Sequence, residues 1–148
     1  MIAELQASDG LRLATLEAQA QSGVSERQLN AALADTDACV VGYFQENALA
    51  GYALVARLPF DTELQAIGVD PAHRHLGLGY ALMQAVMLKA SEWQSERLLL
   101  EVRVSNKAAI SLYQRFDFKV DGQRKGYYPA VQGAAGREDA LLMSRTLS

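Results

Sequence analysis

Hydrophobic positions along the chain follow two periods, and helical and strand patterns alternate. Residues 1–6 alternate loosely and predict a first strand, whereas 9–21 is rich in the helix formers Leu, Ala and Gln. Ser25 followed by Gln28 has the spacing of a capping box, which favours a second helix ending near Ala34. The first quarter of the chain is therefore predicted to contain one strand and two helices.

Three consecutive strands are predicted next. The β-branched and aromatic runs 38–44 and 48–58 flank a turn at 46–47, as expected for a hairpin. A further strand over 62–69 ends at 70–71 (Asp-Pro), because proline cannot continue a β-ladder.

The second half of the chain predicts two helices separated by a strand. Apolar residues recur at helical spacing over 77–93 and 107–116, and the segment 97–104 contains a continuous leucine run that is typical of a buried strand. Two final strands are expected over 118–122 and 140–147. The order β-α-α-β-β-β-α-β-α-β-β predicts a mixed sheet with helices on both faces, that is, an α/β fold of the mixed α+β kind.

Composition limits the function classes. The chain has 148 residues, which predicts a single domain over 1–148, and its net charge of −3 argues against a nucleic-acid partner. Its single cysteine, Cys39, lies in an apolar run and is interpreted as a buried hydrophobe. No Cys/His spacing suggests a metal site, and no apolar stretch suggests a membrane span or a signal peptide. These observations predict a cytoplasmic location.

A glycine-rich motif provides the sharpest chemical signal. Residues 69–80 run from a strand end through Arg-x-x-Gly-x-Gly into a helix, and a glycine-rich helix start binds anions such as a pyrophosphate. A nucleotide P-loop is excluded because Tyr80 follows Gly79, and a dinucleotide fingerprint is disfavoured by Leu82. A glycine-rich helix cap without any ligand stays open as an alternative at this point.

Longer motifs resemble one family. The Arg-x-x-Gly-x-Gly pattern, the stretch 100–113 (LEVRVSNKAAISLY), the segment 124–129 (RKGYYP) and the segment 138–140 (EDA) with Met143 resemble the GNAT acetyltransferases. Within that superfamily they are most similar to the RimI-type ribosomal-protein-alanine N-acetyltransferases. The likeness runs from about residue 67 to the C-terminus. It implies the GNAT fold, with a mostly antiparallel mixed sheet of six to seven strands and about four helices.

The resemblance also implies a co-substrate, acetyl-CoA, and no metal. The residues that it assigns to acetyl-CoA are Ile67, Gly68, Val69, Arg74, His75, Leu76, Gly77, Leu78, Gly79, Tyr80 and Asn106. Residues 67–69 would offer backbone groups to the pantetheine arm, with Gly68 leaving room on that surface, and the Val69 N–H would bind the thioester oxygen. Glu101 is the expected proton acceptor and Tyr113 the expected proton donor. Tyr127 and Tyr128 are expected to wall the acceptor groove.

Each assignment has a structural alternative. Glu101 could simply pair with Arg103 or Arg97, since residues two apart share one face of a strand. Tyr113 lies on an apolar helical stripe and could be a core aromatic residue, and Asn106 could be an ordinary helix cap.

The chain departs from the family pattern at two places. Residues 22–26 stand where the family has a Pro-Trp-Ser segment, which puts the acceptor in question, and Asp117 replaces a glycine that is expected to adopt a left-handed conformation. The expected activity is acetylation of the N-terminal alanine of a small-subunit ribosomal protein, with that N-terminal segment and acetyl-CoA as partners and no nucleic acid or membrane. The alternatives are an acetyltransferase for a small-molecule amine or another protein N-terminus, and a non-catalytic CoA-binding module.

Overall fold

The computed structural model describes residues 1–74, 76–129 and 136–147. The elements in chain order are β1 (Ile2–Glu4), α1 (Gly10–Ala20), α2 (Glu26–Ala34), β2 (Ala38–Gln45), β3 (Ala48–Arg57), β4 (Asp61–Val69), α3 (Leu78–Glu92), β5 (Arg97–Arg103), α4 (Lys107–Arg115), β6 (Lys119–Pro129) and β7 (Arg137–Thr146). Short 3-10 turns precede α1 and α3. The predicted order of elements is confirmed.

One seven-stranded sheet organises these elements, with the strand order β1-β2-β3-β4-β5-β7-β6. Every neighbouring pair is antiparallel except β4 and β5, which run parallel and are joined through α3. A parallel pair needs such a crossover, because its second strand must start again from the opposite end. The expected mostly antiparallel mixed sheet is therefore confirmed.

Hydrophobic cores lie on both faces of the sheet. On one face α1 and α2 bury Leu13 and Leu29 over the middle strands, and on the other face α3 buries Leu82 and Met83. Each of these four side chains is at most 1% exposed. The prediction of helices on both faces is confirmed. Among the helices described, none is long and apolar enough to cross a membrane.

Strands β4 and β5 pair over only half of their length. The last pair is Leu64 with Leu100, after which β4 continues beside β3 and β5 continues beside β7. At the next residue, Gln65, the pairing with β3 skips a position, which is a β-bulge. A bulge bends its strand and increases the local twist. The bulge at Gln65 therefore accounts for a sheet that opens between β4 and β5.

The last hairpin is longer than predicted. Strand β6 runs to Pro129 instead of ending at 122, and β7 begins at Arg137 instead of at 140. Most β6 residues are exposed because β6 is the edge of the sheet, so its sequence lacks the alternation that marks a half-buried strand. A register shift between Arg124 and Tyr128, with Gly126 at φ +58°, further interrupts the pattern.

The ends of the helices follow the predicted capping. Ser25 accepts a hydrogen bond from the Gln28 N–H at 3.1 Å at the start of α2, as predicted. Helix α1 ends earlier than Gly23, since Gln21 adopts the left-handed conformation at φ +52°. Asp117 follows α4 at φ +64°, so the expected left-handed residue after that helix is confirmed.

We predict opposite stability effects for two substitutions at Asp117. Asp117→Gly should raise the free energy of unfolding by about 0.5 kcal/mol, because glycine has no Cβ penalty at positive φ but loses more entropy on folding. Asp117→Ala should lower it by about 1 kcal/mol, because alanine keeps the Cβ and loses the short polar side chain that eases this conformation. Urea denaturation of the three proteins measures both changes, and a shift of both variants in the same direction would contradict the strain argument.

Candidate active site

A cleft of about 660 Å³ opens where β4 and β5 separate. Its walls come from the loop between α1 and α2, from β4, from β5 and from the end of β6. Six of the residues that the sequence assigned to the site line it: Ile67, Glu101, Asn106, Tyr113, Tyr127 and Tyr128. Residues predicted from distant parts of the chain are thus brought together in one concavity.

The edge of β4 that faces the opening carries backbone groups directed away from β3. The Asp70 N–H donates to the Ala50 carbonyl of β3 at 2.8 Å. Backbone groups alternate sides along a strand, so the N–H and C=O groups of Val69 and Ile67 point to the opposite edge. Among the residues that the structure describes, no strand pairs with that edge after Leu64. Ile67 and Val69 therefore offer ladder positions to an extended ligand.

Position 68 requires glycine for a reason that differs from the expected one. A Cβ built on it would lie 2.9 Å from Cε1 of Tyr52 and 3.1 Å from Cβ of Ala20. The missing side chain therefore makes room for the Tyr52 ring and for α1. The expectation that Gly68 leaves room on the ligand surface is wrong, because a side chain at this position would point toward Tyr52 and α1.

The first turn of α3 presents backbone N–H donors that precede the first hydrogen bond of the helix. Gly77 caps the helix at φ +82°, and its carbonyl accepts the first helical hydrogen bond from the Ala81 N–H at 3.1 Å. The N–H groups of Leu78, Gly79 and Tyr80 precede that bond and have no acceptor within the helix. A Cβ on Gly77 would meet no atom of the described residues within 4 Å. This geometry suits a diphosphate, because the helix start also carries partial positive charge.

Side chains around this turn have separate roles. Leu78 is buried at 3% exposure, so only its backbone is available to a ligand, whereas Leu76 is 63% exposed. Gly79 faces α4, where a Cβ would lie 3.2 Å from Leu112. Its glycine is thus explained by close helix packing.

Two further members of the predicted cofactor loop make contacts within the protein. One amino group of the Arg74 guanidinium donates to the carbonyl of Ala20 at 3.4 Å, at the end of α1. The Tyr80 ring packs on Phe116 at 4.7 Å between centroids, and the Arg115 guanidinium lies 5.0 Å from the Tyr80 centroid. His75, also assigned to this loop, lies outside the described residues.

Glu101 lies on β5 directly after the strands separate. Its carboxylate faces the cleft with 28% of the side chain exposed, and its ion-pair partner is Arg124 of β6 at 3.4 Å. Neither alternative partner is used, since Arg97 pairs with Asp61 and Arg103 pairs elsewhere. Arg124 therefore holds Glu101 at the opening of the sheet, a contact that the sequence analysis did not predict.

Tyr113 reaches the same cleft from α4. The side chain is 4% exposed and packs against Phe118 with centroids 5.8 Å apart, so it is a core aromatic residue as well as a cleft residue. Burial, with a smaller contribution from the nearby Tyr128 phenol, raises the pKa of Tyr113 well above its ordinary value. The phenol therefore keeps its proton over the whole physiological range.

Asn106 combines the two interpretations considered for it. Its Oδ1 accepts the Ala109 N–H at 3.2 Å and caps α4, as an ordinary helix cap does. The residue also lines the cleft. Because the cap uses Oδ1, the amide group left for a ligand is the Nδ2 donor.

Tyr127 and Tyr128 form one wall of the cleft and are braced by arginines. Their rings meet edge to face at 4.9 Å. The Arg124 guanidinium lies 4.7 Å from the Tyr127 centroid and that of Arg103 lies 4.6 Å from the Tyr128 centroid. These cation–π contacts hold both rings beside Glu101.

Two acidic residues of the segment 138–140, Glu138 and Asp139, support this wall, although the sequence analysis assigned them no role. Glu138 accepts the Ser105 N–H at 2.8 Å and pairs with Arg103 at 3.2 Å, which ties β7 to the loop before α4. Hydrogen bonding from Ser105, and then the charge and hydrogen bond of Arg103, outweigh partial burial and lower the pKa of Glu138.

Asp139 fixes the irregular part of β6. It accepts the Gly126 N–H at 2.8 Å and a hydrogen bond from Gln123 at 2.5 Å. These two bonds lower the pKa of Asp139 below its ordinary range. The sequence could not indicate the contacts of Glu138 and Asp139, because these contacts depend on the register between β6 and β7.

Residues 22–24 of the loop between α1 and α2 also line the cleft, although the sequence analysis assigned them no role beyond the missing family segment.

Neither a reactive cysteine nor a metal site is supported in the described part of the chain. Cys39 is buried and burial raises the pKa of its thiol to about 12, which is the opposite of nucleophile activation. No cluster of three metal-ligating side chains occurs among the residues described.

The chain is similar to known acetyltransferases. The family model described as the acetyltransferase (GNAT) family matches residues 6–118. A protein named N-alpha-acetyltransferase RimI from Mycobacterium tuberculosis is 36% identical over 151 residues, covering 97% of this chain and 90% of the relative. An uncharacterised protein of Mycobacterium leprae is 38% identical over 98% of this chain, which spans 40% of that relative.

A solved structure gives the same fold. The ribosomal-protein-S18-alanine N-acetyltransferase of Escherichia coli superposes with a TM-score of 0.91 at 30% identity, covering 100% of this chain and 94% of that one. The similarity includes both halves of the sheet, since the whole chain is covered.

We predict that acid loosens the β6–β7 hairpin through Asp139. A carboxylate with a lowered pKa in the folded state stabilises fully above its unfolded value of about 3.9, and the effect is lost as pH falls through the lowered value. The protection of the Gly126 amide, that is, its exchange rate relative to the intrinsic rate at each pH, should therefore fall as the pH drops below about 4. In Asp139→Asn this titration should disappear, as measured by amide hydrogen exchange.

Asp121→Asn is the matched control, because Asp121 is an exposed carboxylate on the same strand. Its exchange profile at Gly126 should match that of the unmodified protein. An unchanged acid profile in Asp139→Asn would contradict the assignment.

Proposed function

The chain belongs to the GNAT acetyltransferase family, and we propose that it transfers the acetyl group of acetyl-CoA to a protein N-terminus, the acceptor being the N-terminal alanine of ribosomal protein bS18. One observation carries the proposal. A carboxylate and a protonated phenol, Glu101 and Tyr113, face one cleft at the point where the backbone edge of β4 is open. A cytoplasmic location, where acetyl-CoA and ribosomal proteins meet, is part of the same proposal.

The open edge and the start of α3 fit the shape of acetyl-CoA. Acetyl-CoA supplies an acetyl group activated as a thioester. Ile67 and Val69 would pair with its amide-containing arm as a neighbouring strand does, and the N–H groups at the start of α3 would bind its diphosphate. The Asn106 Nδ2 group is left to donate to the same arm. The Val69 N–H would stabilise negative charge on the thioester oxygen during attack.

Glu101 acts as the proton acceptor. The acceptor nitrogen attacks the thioester carbon, a C–N bond forms, and Glu101 takes the proton that the amine gives up. A protein α-amino group has a pKa of roughly 7.7–8.0, so about a tenth is neutral at pH 7, whereas lysine at roughly 10.4 is almost wholly charged. A single, largely buried carboxylate such as Glu101 is therefore better matched to an N-terminal amine than to a lysine side chain.

Tyr113 acts as the proton donor. As the C–S bond breaks, the sulfur leaves as a thiolate and takes the phenolic proton. The raised pKa of Tyr113 keeps this proton in place until the thiolate forms. Water then reprotonates the phenolate before the next turnover.

The acceptor assignment rests on the relatives and on the tyrosine wall. Two of the relatives carry names for N-terminal protein acetylation, and the Escherichia coli protein acts on the alanine of S18. In this chain Tyr127 and Tyr128 narrow the cleft beside Glu101, which favours a small first residue over a bulky one.

We predict that removal of either proton carrier lowers kcat with little effect on acetyl-CoA binding. Glu101→Gln and Tyr113→Phe should each reduce kcat by about 100-fold, the usual contribution of one positioned acid or base. The loss in Glu101→Gln should shrink above about pH 8, because the acceptor amine then loses its proton without help. Steady-state kinetics between pH 6 and 9, with calorimetry of acetyl-CoA, measure these effects.

Tyr43→Phe and Glu92→Gln are matched controls, because these residues carry the same groups outside the cleft lining. Both should turn over normally. Full activity in Glu101→Gln and Tyr113→Phe would overturn the assigned roles.

We predict that a peptide with the N-terminal sequence of bS18 gains one acetyl group at its α-amine. The same peptide with a blocked α-amine but free lysines should gain none, because Glu101 cannot deprotonate lysine efficiently. Mass spectrometry of fragments locates the group. Acetylation of polyamines or aminoglycosides in preference to the peptide would favour the small-molecule alternative, and binding of acetyl-CoA without any transfer would favour the non-catalytic one.

A further inference from the structure

A hydrogen-bond network lies beneath the loop between α1 and α2, and the proposed acyl transfer does not use it. The Glu17 carboxylate accepts the Tyr52 hydroxyl at 2.8 Å, the Ser22 hydroxyl at 2.5 Å and the Gly23 N–H at 3.1 Å. The Ser22 and Tyr52 hydroxyls are themselves 2.7 Å apart. A carboxylate at the end of a helix thus joins a strand residue to the loop that follows the helix.

The network is anchored on a fixed side. Tyr52 is fully buried in β3, and its ring occupies the space left by the missing side chain of Gly68 in β4. Gly68 lies between Ile67 and Val69, whose backbone groups face the open edge. The phenol is therefore positioned by the same strand that we assign to acetyl-CoA.

The other side of the network is exposed and has little packing around Gly23. Ser22 and Gly23 are exposed, Gly23 has φ +96°, and a Cβ on Gly23 would meet nothing within 4 Å. Ser22, Gly23 and Val24 nevertheless line the cleft that contains Glu101. Val24 packs against the hydrophobic core beneath α1 and α2, whereas Ser22 and Gly23 are held by their hydrogen bonds to Glu17 and Tyr52.

We propose that Glu17, Ser22 and Tyr52 are positioning residues that determine the affinity for the acceptor by fixing the loop 22–24 at the wall of the cleft. The inference rests on the proposed function, since it takes the 660 Å³ cleft as the acceptor site. The network touches neither Glu101 nor Tyr113, so its loss changes where the acceptor binds and leaves the proton transfers intact. It also leaves the start of α3 unchanged, so acetyl-CoA binds as before.

Substitutions that remove one hydroxyl each provide the test. Tyr52→Phe keeps the buried ring and Ser22→Ala keeps the backbone, and each should raise KM for the acceptor peptide about fivefold, the value of one neutral hydrogen bond. The kcat and the KM for acetyl-CoA should stay within twofold. The double variant should raise the acceptor KM by less than the product of the two, because both hydroxyls serve the same carboxylate.

A second readout does not depend on turnover. In Glu17→Gln an amide NH₂ replaces one acceptor oxygen, so the bonds from Ser22, Tyr52 and the Gly23 N–H cannot all form. The Gly23 amide should then exchange with solvent at least fivefold faster, while the amides of α3 keep their protection. Tyr43→Phe is the control, since it removes a tyrosine hydroxyl from the neighbouring strand β2 and should change neither KM nor exchange.

The outcomes separate this inference from the proposed function. If the unmodified protein acetylates the peptide but Tyr52→Phe leaves its acceptor KM unchanged, the positioning role is wrong and the function stands. An equal rise in the KM for acetyl-CoA would also overturn it, because that result indicates general loosening. If the unmodified protein acetylates no peptide, the proposed function is wrong. If the Gly23 amide exchanges at an unchanged rate in Glu17→Gln, the claim that Glu17 holds the loop is wrong, whatever the activity.

Discussion

The separation of β4 from β5 is the constraint on which the site depends. Parallel pairing lasts only to Leu64 and Leu100, and beyond the bulge at Gln65 β4 stays beside β3 while β5 stays beside β7. One event thereby produces a cleft and an unpaired backbone edge together. An extended ligand can complete the ladder of β4 at the very place where a side chain of β5, Glu101, faces the same space. Without the separation, β5 would occupy that edge and no ligand could bind there.

A sheet that opens in its middle needs support from both sides of the gap, and the chain supplies it with polar contacts. On the β5 side, Glu138 and Arg103 connect β7 to the loop before α4. On the β4 side, Tyr52 connects the strand to the loop after α1 through Glu17. These contacts are placed next to the opening because hydrophobic packing cannot close over a cleft that a substrate must enter.

The sequence predicts those features of the structure that depend on residues close together in the chain. The helix starting near Gly77 and the cap at Asn106 each depend on a few adjacent residues, and both agree with the structure. The left-handed residue at Asp117, which the family resemblance implied, agrees as well. The extent of β6 was missed, because an exposed edge strand needs no alternation. The partner of Glu101 was missed for a different reason: Arg124 is 23 residues away, and only the register of three strands brings the two together. The bulge at Gln65 likewise leaves no mark in the sequence, since any residue can be the unpaired one.

In the proposed function the two substrates would be recognised by different kinds of structure, which explains why the sequence pointed to acetyl-CoA more readily than to the acceptor. Acetyl-CoA would be held mainly by backbone groups of β4 and α3, whose geometry requires glycine at position 77 and a recognisable motif around it. The acceptor would be held by side chains and by the loop 22–24, where many sequences could form an adequate wall. In this chain a serine held by Glu17 and Tyr52 stands in that wall, where the family resemblance leads one to expect a tryptophan segment. On the proposed function, the acceptor would therefore depend on side-chain contacts of the loop 22–24, and the acetyl donor mainly on backbone groups.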